Sequence, residues 1–400
     1  MRAAQSAPHL VTLIFSTALA VLSLNMFLPS LPRIAEDFDT SYGVVNLSLA
    51  GYLAISAVLQ LVMGPLSDRY GRRPVLLGSM LIFAVASLGC FWAEDIWVFL
   101  GFRMLQGIVV AGQGLLRAAL RDMHFTQEAA SKLGYVTMAM ALAPMLGPML
   151  GGGLDMAFGW RSSFALYTLL GFGLLALCWG DWGETNHQRS ATFGAQMRSY
   201  PELLASRRFW GYSLCLAFSI GGFYAFITGA PLVAAAWFDL NPAQLGLGIG
   251  IITCGFMVGN FVTGRLALKV ELINLVLAGR LAATIGPVVG LGLFLSGFGS
   301  IWAFFGSAIC VGFGNGLTVA NASAGLMSVR PHLAGSASGL SGALVVALGA
   351  VMTTLTGGLV TPEAAPFTVL GIILGSSFCA LASAIYVRWL DKHDPLEETA

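Results

Sequence analysis

GPLSDRYGRRP, residues 64–74, sets Asp68, Arg69, Arg72 and Arg73 between two apolar runs, 44–66 and 75–93. At a rise of about 1.5 Å per residue, roughly 20 apolar residues cross a hydrocarbon core. A short charged Gly/Pro stretch with such a run on each side is predicted to be a membrane-surface loop joining two spanning helices.

Composition points the same way. Hydrophobic residues make up 57% of the 400-residue chain and charged residues 10%, against about 25% charged in a soluble domain. The formal net charge of +1 gives no electrostatic reason to expect nucleic acid. Cys90, Cys178, Cys215, Cys254, Cys310 and Cys379 lie singly in apolar runs, which predicts free thiols and no metal site.

Apolar runs recur at about 10–31, 44–66, 75–93, 97–120, 132–154, 162–180, 209–232, 244–264, 273–295, 300–322, 335–359 and 366–390. The reading is an all-α membrane protein of twelve transmembrane helices in two six-helix halves. Only one connection is long and polar, so the halves are placed at 1–180 and 209–400, with a linker at 181–208. The first run is too long for the apolar core of a signal peptide, so it is expected to be retained.

With the N-terminus inside, fifteen of the 20 Lys and Arg fall on the cytoplasmic side, and only Arg33 and Arg161 fall outside. Arg103, Arg117 and Arg280 lie within spans. This asymmetry places both termini in the cytoplasm. The halves echo each other at an offset of about 200 residues: Pro29 with Pro231, Gly64 with Gly264, Gly151-Gly152 with Gly357-Gly358. Repeated halves suit alternating access around a site between them, and most of the 50 glycines suit close helix packing.

Several residues carry candidate chemistry. Gly64 permits close helix approach; Asp68 can accept from helix N-terminal amides and neutralise Arg69 or Arg72, with Asp122 as a further partner. Broken and remade, those pairs form a cytoplasmic latch, to which Arg121 also belongs. Arg103 opens the FRMLQG segment with Gln106 and Gly107. An arginine inside lipid costs at least about 2.5 kcal/mol, so it faces a polar cavity or else snorkels to the interface. Arg117 lies on the same span, nearer its cytoplasmic end. Span 5 carries Pro144, Gly147, Pro148, Gly151 and Gly152, which bend the helix and let it pack closely.

These strings resemble a known family. GPLSDRYGRRP, the R-x-x-Q-G of Arg103–Gly107, the G-P-x-x-G-G of span 5 and LNMFLPSLP at 24–32 are similar to motifs of the major facilitator superfamily, in its bicyclomycin/chloramphenicol-resistance type of drug:proton antiporter. The resemblance covers nearly the whole chain. It implies a multidrug efflux transporter of the bacterial inner membrane, conferring antibiotic resistance, driven by the proton gradient and needing no cofactor. The family's pattern has an aspartate where this chain has Asn25, and a glycine where it has Ala143. An asparagine cannot carry a proton.

All 19 carboxylates fall in loops or at span ends, Asp37 and Asp155 among them. The buried charges are then cationic, and the pocket is expected to favour neutral, zwitterionic or anionic compounds. Its candidate lining is Asn25, Tyr52, Arg103, Gln113, Met138, Met145, Tyr224 and Asn315, with Arg103 expected to hold a substrate acceptor or to bond Asn25. A membrane protease is disfavoured: Gly339-Leu340-Ser341-Gly342 spells a serine motif, but His9, His124, His187, His332 and His393 lie at ends or in loops, which leaves no base. No repeated filter suggests a channel. The expected partners are a small molecule, protons and the bilayer around a monomer. Export of an endogenous metabolite stays open beside drug export.

Overall fold

Described as a computed structural model, the structure covers residues 8–112, 143, 146–184, 201–267, 269–330 and 333–394. Gln113, Arg117, Arg121, Asp122, Met138, Pro144 and Met145 lie outside these, as do the side chains at 64, 65 and 68.

Among the described residues the secondary structure is helical. Ten helices are long and apolar enough to cross a membrane, and Ile96–Val110 is a shorter apolar one. The helices are labelled in chain order α1 (Leu10–Asn25), α2 (Leu31–Asp37), α3 (Tyr42–Tyr70), α4 (Arg72–Trp92), α5 (Ile96–Gln106), α6 (Ile108–Ala111), α7 (146–158) and α8 (Arg161–Asp181). Then come α9 (Arg207–Phe238), α10 (Pro242–Leu266), α11 (Leu272–Leu295), α12 (Ile301–Ser328), α13 (Ala334–Leu359) and α14 (Ala365–His393). Large side chains such as Leu169, Phe261, Val289 and Trp389 are exposed along these helices. In water such a surface would associate; it matches lipid tails.

The structure corrects two expectations. The predicted loop at 64–74 is helix: α3 runs through Asp68 and Arg69 to Tyr70, and α4 starts at Arg72. Gly71 alone makes the turn, at φ 105°, a conformation that suits glycine. The run at 10–31 is one span by hydropathy but breaks after Asn25 into a 3-10 turn at Leu28–Ser30 and then α2. Pro29 and Pro32 each lack an N–H, which favours a restart there over a continued α-helix.

The chain divides into two units, Met1–Phe193 with Asn241–Leu247, and the remainder. In the first, α4 packs along α8 and α3 along α5. Its core is a run of touching rings, from Phe27 through Phe164 and Phe99 to Trp160 and Phe38. Phe99 meets Phe164 and Trp160 edge to face, and such pairs contribute about 0.5–1.5 kcal/mol each beyond area burial. In the second unit α11 pairs with α12, and α9 packs on α13 and α14. The α11–α12 contact is backbone to backbone, since a Cβ on Gly314 would lie 2.2 Å from the carbonyl oxygen of Gly279.

Candidate functional site

Arg103 is wholly buried in the first unit. Its guanidinium carbon lies 4.3 Å from the ring centre of Phe27, 4.5 Å from Tyr52 and 5.9 Å from Phe164. One turn on, Gln106 accepts from its Nη1 and donates to Ser87 Oγ at 2.6 Å. Tyr52 hydroxyl pairs with Ser23 Oγ at 2.7 Å. Gly107 makes this possible: a Cβ there would lie 2.8 Å from the carbonyl oxygen of Tyr52, so α5 sits close against α3.

The cage neutralises no charge. Among the described residues no carboxylate pairs with Arg103, and its Nε and Nη2 have no hydrogen-bond partner. Ring faces attract a cation by roughly 2 kcal/mol or more when dry, yet two nitrogens, Nε and Nη2, remain to donate. The side chain does not snorkel. Nor does it bond Asn25, whose Nδ2 donates to the carbonyl of Val21 at 2.8 Å while its Oδ1 has no partner. That expected Arg103–Asn25 bond is absent because Asn25 folds back on its own helix.

A second buried arginine, Arg280, lies on α11 in the second unit. Its Nε donates to Thr318 Oγ1 and its Nη2 to Asn315 Oδ1, each at 2.8 Å, and Asn315 Nδ2 donates to the carbonyl of Ser219 at 3.2 Å. Asn315 therefore serves as an acceptor for Arg280. Tyr224 is buried, its ring against Gly349.

At the α3–α4 turn, Arg72 Nη1 donates to Ser67 Oγ at 2.7 Å. Glu184 accepts from the backbone amides of Arg72 and Arg73 at 2.8 and 3.3 Å, and Arg73 Nη2 donates to the carbonyl of Trp179. Arg69 lies over the ring of neighbouring Tyr70. The turn is thus held by the end of α8 and the residues after it. His9 and Thr12 at the start of α1 both bond Asp181 there.

On α7, Gly147 faces Leu22 and Asn25, Gly151 faces Met26, Gly152 faces Pro242 and Ala243, and Pro148 is buried. The structure thus brings Asn25 to the glycine row of α7, and Tyr52 to Arg103. Sequence reading missed Phe27, Phe164, Ser87, Glu184 and Thr318. The one available signal was arithmetic: intramembrane arginines without intramembrane acids must find neutral acceptors and ring faces. Asp155, expected in a loop or at a span end, lies near the end of α7 and is buried there. A groove of about 500 Å³ between α10, α11 and α12 is lined by apolar side chains, the exposed Val258 and Ile285 among them, and Arg280 is not part of its lining.

The profile of the Major Facilitator Superfamily matches residues 13–354. The chain is 31% identical to the MFS-type transporter YdgK of Bacillus subtilis, over 85% of this chain and 86% of that one. It is 30% identical to a chloramphenicol resistance protein of Pseudomonas aeruginosa (84% and 81% covered) and 28% to a bicyclomycin resistance protein homolog of Haemophilus influenzae (89% and 92%). Among solved structures, a bacterial homolog of the human lysosomal transporter Spinster superposes with a TM-score of 0.75 at 14% identity, covering 96% of each chain. At that identity the likeness speaks for the fold.

Proposed function

The chain belongs to the Major Facilitator Superfamily, a multi-pass membrane transporter and not an enzyme, and from that premise we propose that it exports small molecules by proton-coupled antiport. The two halves, 1–180 and 209–400, work by alternating access about the linker 181–208, as a monomer in a bacterial inner membrane with both termini cytoplasmic. The cargo is neutral, zwitterionic or anionic. Relatives named for chloramphenicol and bicyclomycin resistance support drug export.

The observation that carries the cargo class is Arg103: a buried cation with ring walls, two unpartnered donor nitrogens and no paired carboxylate among the described residues. A lipophilic cation would meet like charge there, whereas a carbonyl, nitro or carboxylate oxygen would accept both donors. Asn25, Tyr52, Tyr224, Asn315, Gln113, Met138 and Met145 are assigned to the same path. Gly64, Asp68, Arg69, Arg72, Arg117, Arg121 and Asp122 are assigned to its cytoplasmic gate, and Pro144, Gly147, Pro148, Gly151 and Gly152 to the coupling helix.

Asn25 favours a second reading, a metabolite exporter that lacks a proton-carrying carboxyl at midspan. Inverted vesicles decide between them. Chloramphenicol uptake that rises when a pH gradient is imposed supports proton-coupled drug export. Uptake of an amino acid but not of chloramphenicol, indifferent to the gradient, supports the second reading and overturns the first.

A further inference from the structure

We infer that Arg103 carries a site for a small monovalent anion, held on the edge of its guanidinium formed by Nε and Nη2; the inference rests on the cargo site read at Arg103 above and narrows its ligand. Arg103 is 0% exposed, and its Nη1 donates to Gln106 Oε1. Nε and Nη2 share one side of the planar group, where their N–H bonds point the same way and fit a two-oxygen acceptor or a single ion. Neither finds a hydrogen-bond partner among the described residues. A buried cation needs a counter-charge or an acceptor on each donor. Ring faces supply part of this, with the guanidinium carbon 4.3 Å from the centre of Phe27 and 4.5 Å from that of Tyr52. They offer no lone pair to the open edge.

The polar groups around Arg103 are engaged with one another. Gln106 donates its amide to Ser87 Oγ at 2.6 Å, and Ser87 Oγ donates in turn to the carbonyl of Phe83 at 2.7 Å. Ser23 Oγ donates to the carbonyl of Ala20 at 2.9 Å, so the Tyr52 hydroxyl is the donor in its 2.7 Å bond to Ser23. Acids of the same unit are held elsewhere: Asp37 by Arg161, Asp155 by Arg33, and Asp181 by His9 and Thr12.

Arg280 shows the same edge satisfied by the protein alone. Its Nε donates to Thr318 Oγ1 and its Nη2 to Asn315 Oδ1, each at 2.8 Å. The two buried arginines differ at that edge, filled by neutral side-chain oxygens in one and open in the other. The anion at Arg103 is small, because ring walls and the close α3–α5 approach at Gly107 crowd the cage. It is monovalent, because one cation is there to neutralise. Two sources share this chemistry, an inorganic halide and the carboxylate of a cargo molecule. The Phe27 wall lies between the end of α1 and the 3-10 turn at Leu28–Ser30, so a shift of that break moves the ring and admits the ion.

The test follows the melting temperature of the purified full chain in detergent, with ionic strength held constant by the sodium salt of HEPES, a large buffer anion. Sodium chloride or sodium benzoate, exchanged in, is expected to raise it along a saturating curve, as a ligand of the folded state does. A rise with chloride alone assigns the site to an inorganic ion, and a rise with benzoate assigns it to a cargo carboxylate; both support the inference. No rise with either overturns it. Benzamide keeps the ring and one carbonyl oxygen without the charge and is expected to give no rise; a rise equal to that of benzoate overturns the inference. Arg103→Gln is expected to abolish the response, and Arg265→Gln, which removes an exposed cation, to keep it. A response that survives Arg103→Gln, or vanishes equally in Arg265→Gln, overturns the inference. Where Arg103→Gln does not fold, Arg103→Lys, a point charge without the fork, is expected to weaken the apparent affinity at least about tenfold; unchanged affinity overturns the inference. None of these readings needs transport: wild type that moves no chloramphenicol in vesicles overturns drug export, while the melting curves still decide the anion site.

Discussion

The carbonyl oxygen of Met26 occupies the place where a side chain on Gly151 would begin: a Cβ there would lie 1.6 Å from it. The contact is backbone against backbone, so no rotamer change relieves it. It also falls at the break in the first span, where α1 has ended and α2 has not begun.

Gly151→Ala is therefore expected to cost about 3 kcal/mol or more, at the upper end of overpacking effects, and to lower the melting temperature of the detergent-solubilised protein. Gly153, two residues on, has nothing within 4 Å of a built Cβ. Gly153→Ala is expected to melt as wild type does. Equal melting temperatures for the two variants would remove the close α1–α7 approach.

How much of this the sequence carried depends on distance along the chain. Apolar runs located the described spans to within a few residues, because hydropathy is a local property. The end of α3 was not legible, since Gly64-Pro65 reads as a turn signal although the helix passes through it to Gly71. Partners were the least legible. Arg33 finds Asp155 122 residues away, and Glu184 reaches back 112 residues to the amide of Arg72. Nothing in either neighbourhood names the other.

Glu184 gives a second expectation. Its carboxylate closes the N-terminus of α4 by accepting from the backbone amides of Arg72 and Arg73, the usual work of a helix cap. Glu184→Ala is expected to cost about 1 kcal/mol and to speed hydrogen exchange at Arg72 and Arg73 while α11–α12 exchange stays unchanged. Protection at these two amides equal to wild type would show that another group caps the helix.

Arg103 tests the cage. Arg103→Lys keeps the charge but not the planar fork that reaches Gln106 and lies against Phe27 and Tyr52. Chloramphenicol transport by Arg103→Lys is expected to fall at least about tenfold, equivalent to 1.4 kcal/mol, with the protein still inserted and monodisperse. Phe27→Leu, which thins one wall, is expected to fall less. Full activity in Arg103→Lys would reduce the cage to charge placement alone.

Asn25 supplies the sharpest expectation, because its two polar atoms are treated so differently. Its Nδ2 donates to the carbonyl of Val21, and its Oδ1 is buried with no partner. In Asn25→Asp the donor is gone, and an ionised carboxylate would set two acceptors against the Val21 carbonyl in a site closed by Gly147. A protonated carboxyl keeps the bond, its O–H donating where the amide did. The folded variant therefore binds a proton that the ionised unfolded chain does not hold near neutrality, and its stability falls as pH rises. Wild type has no titrating group at this position and contributes no such slope. Melting curves of the two proteins from acid to alkaline pH check this, with the variant expected to match wild type at the acid end and to fall below it with rising pH. Parallel curves across the whole range would mean that the side chain at 25 turns out of its bond to Val21, and that this position takes no part in holding a proton.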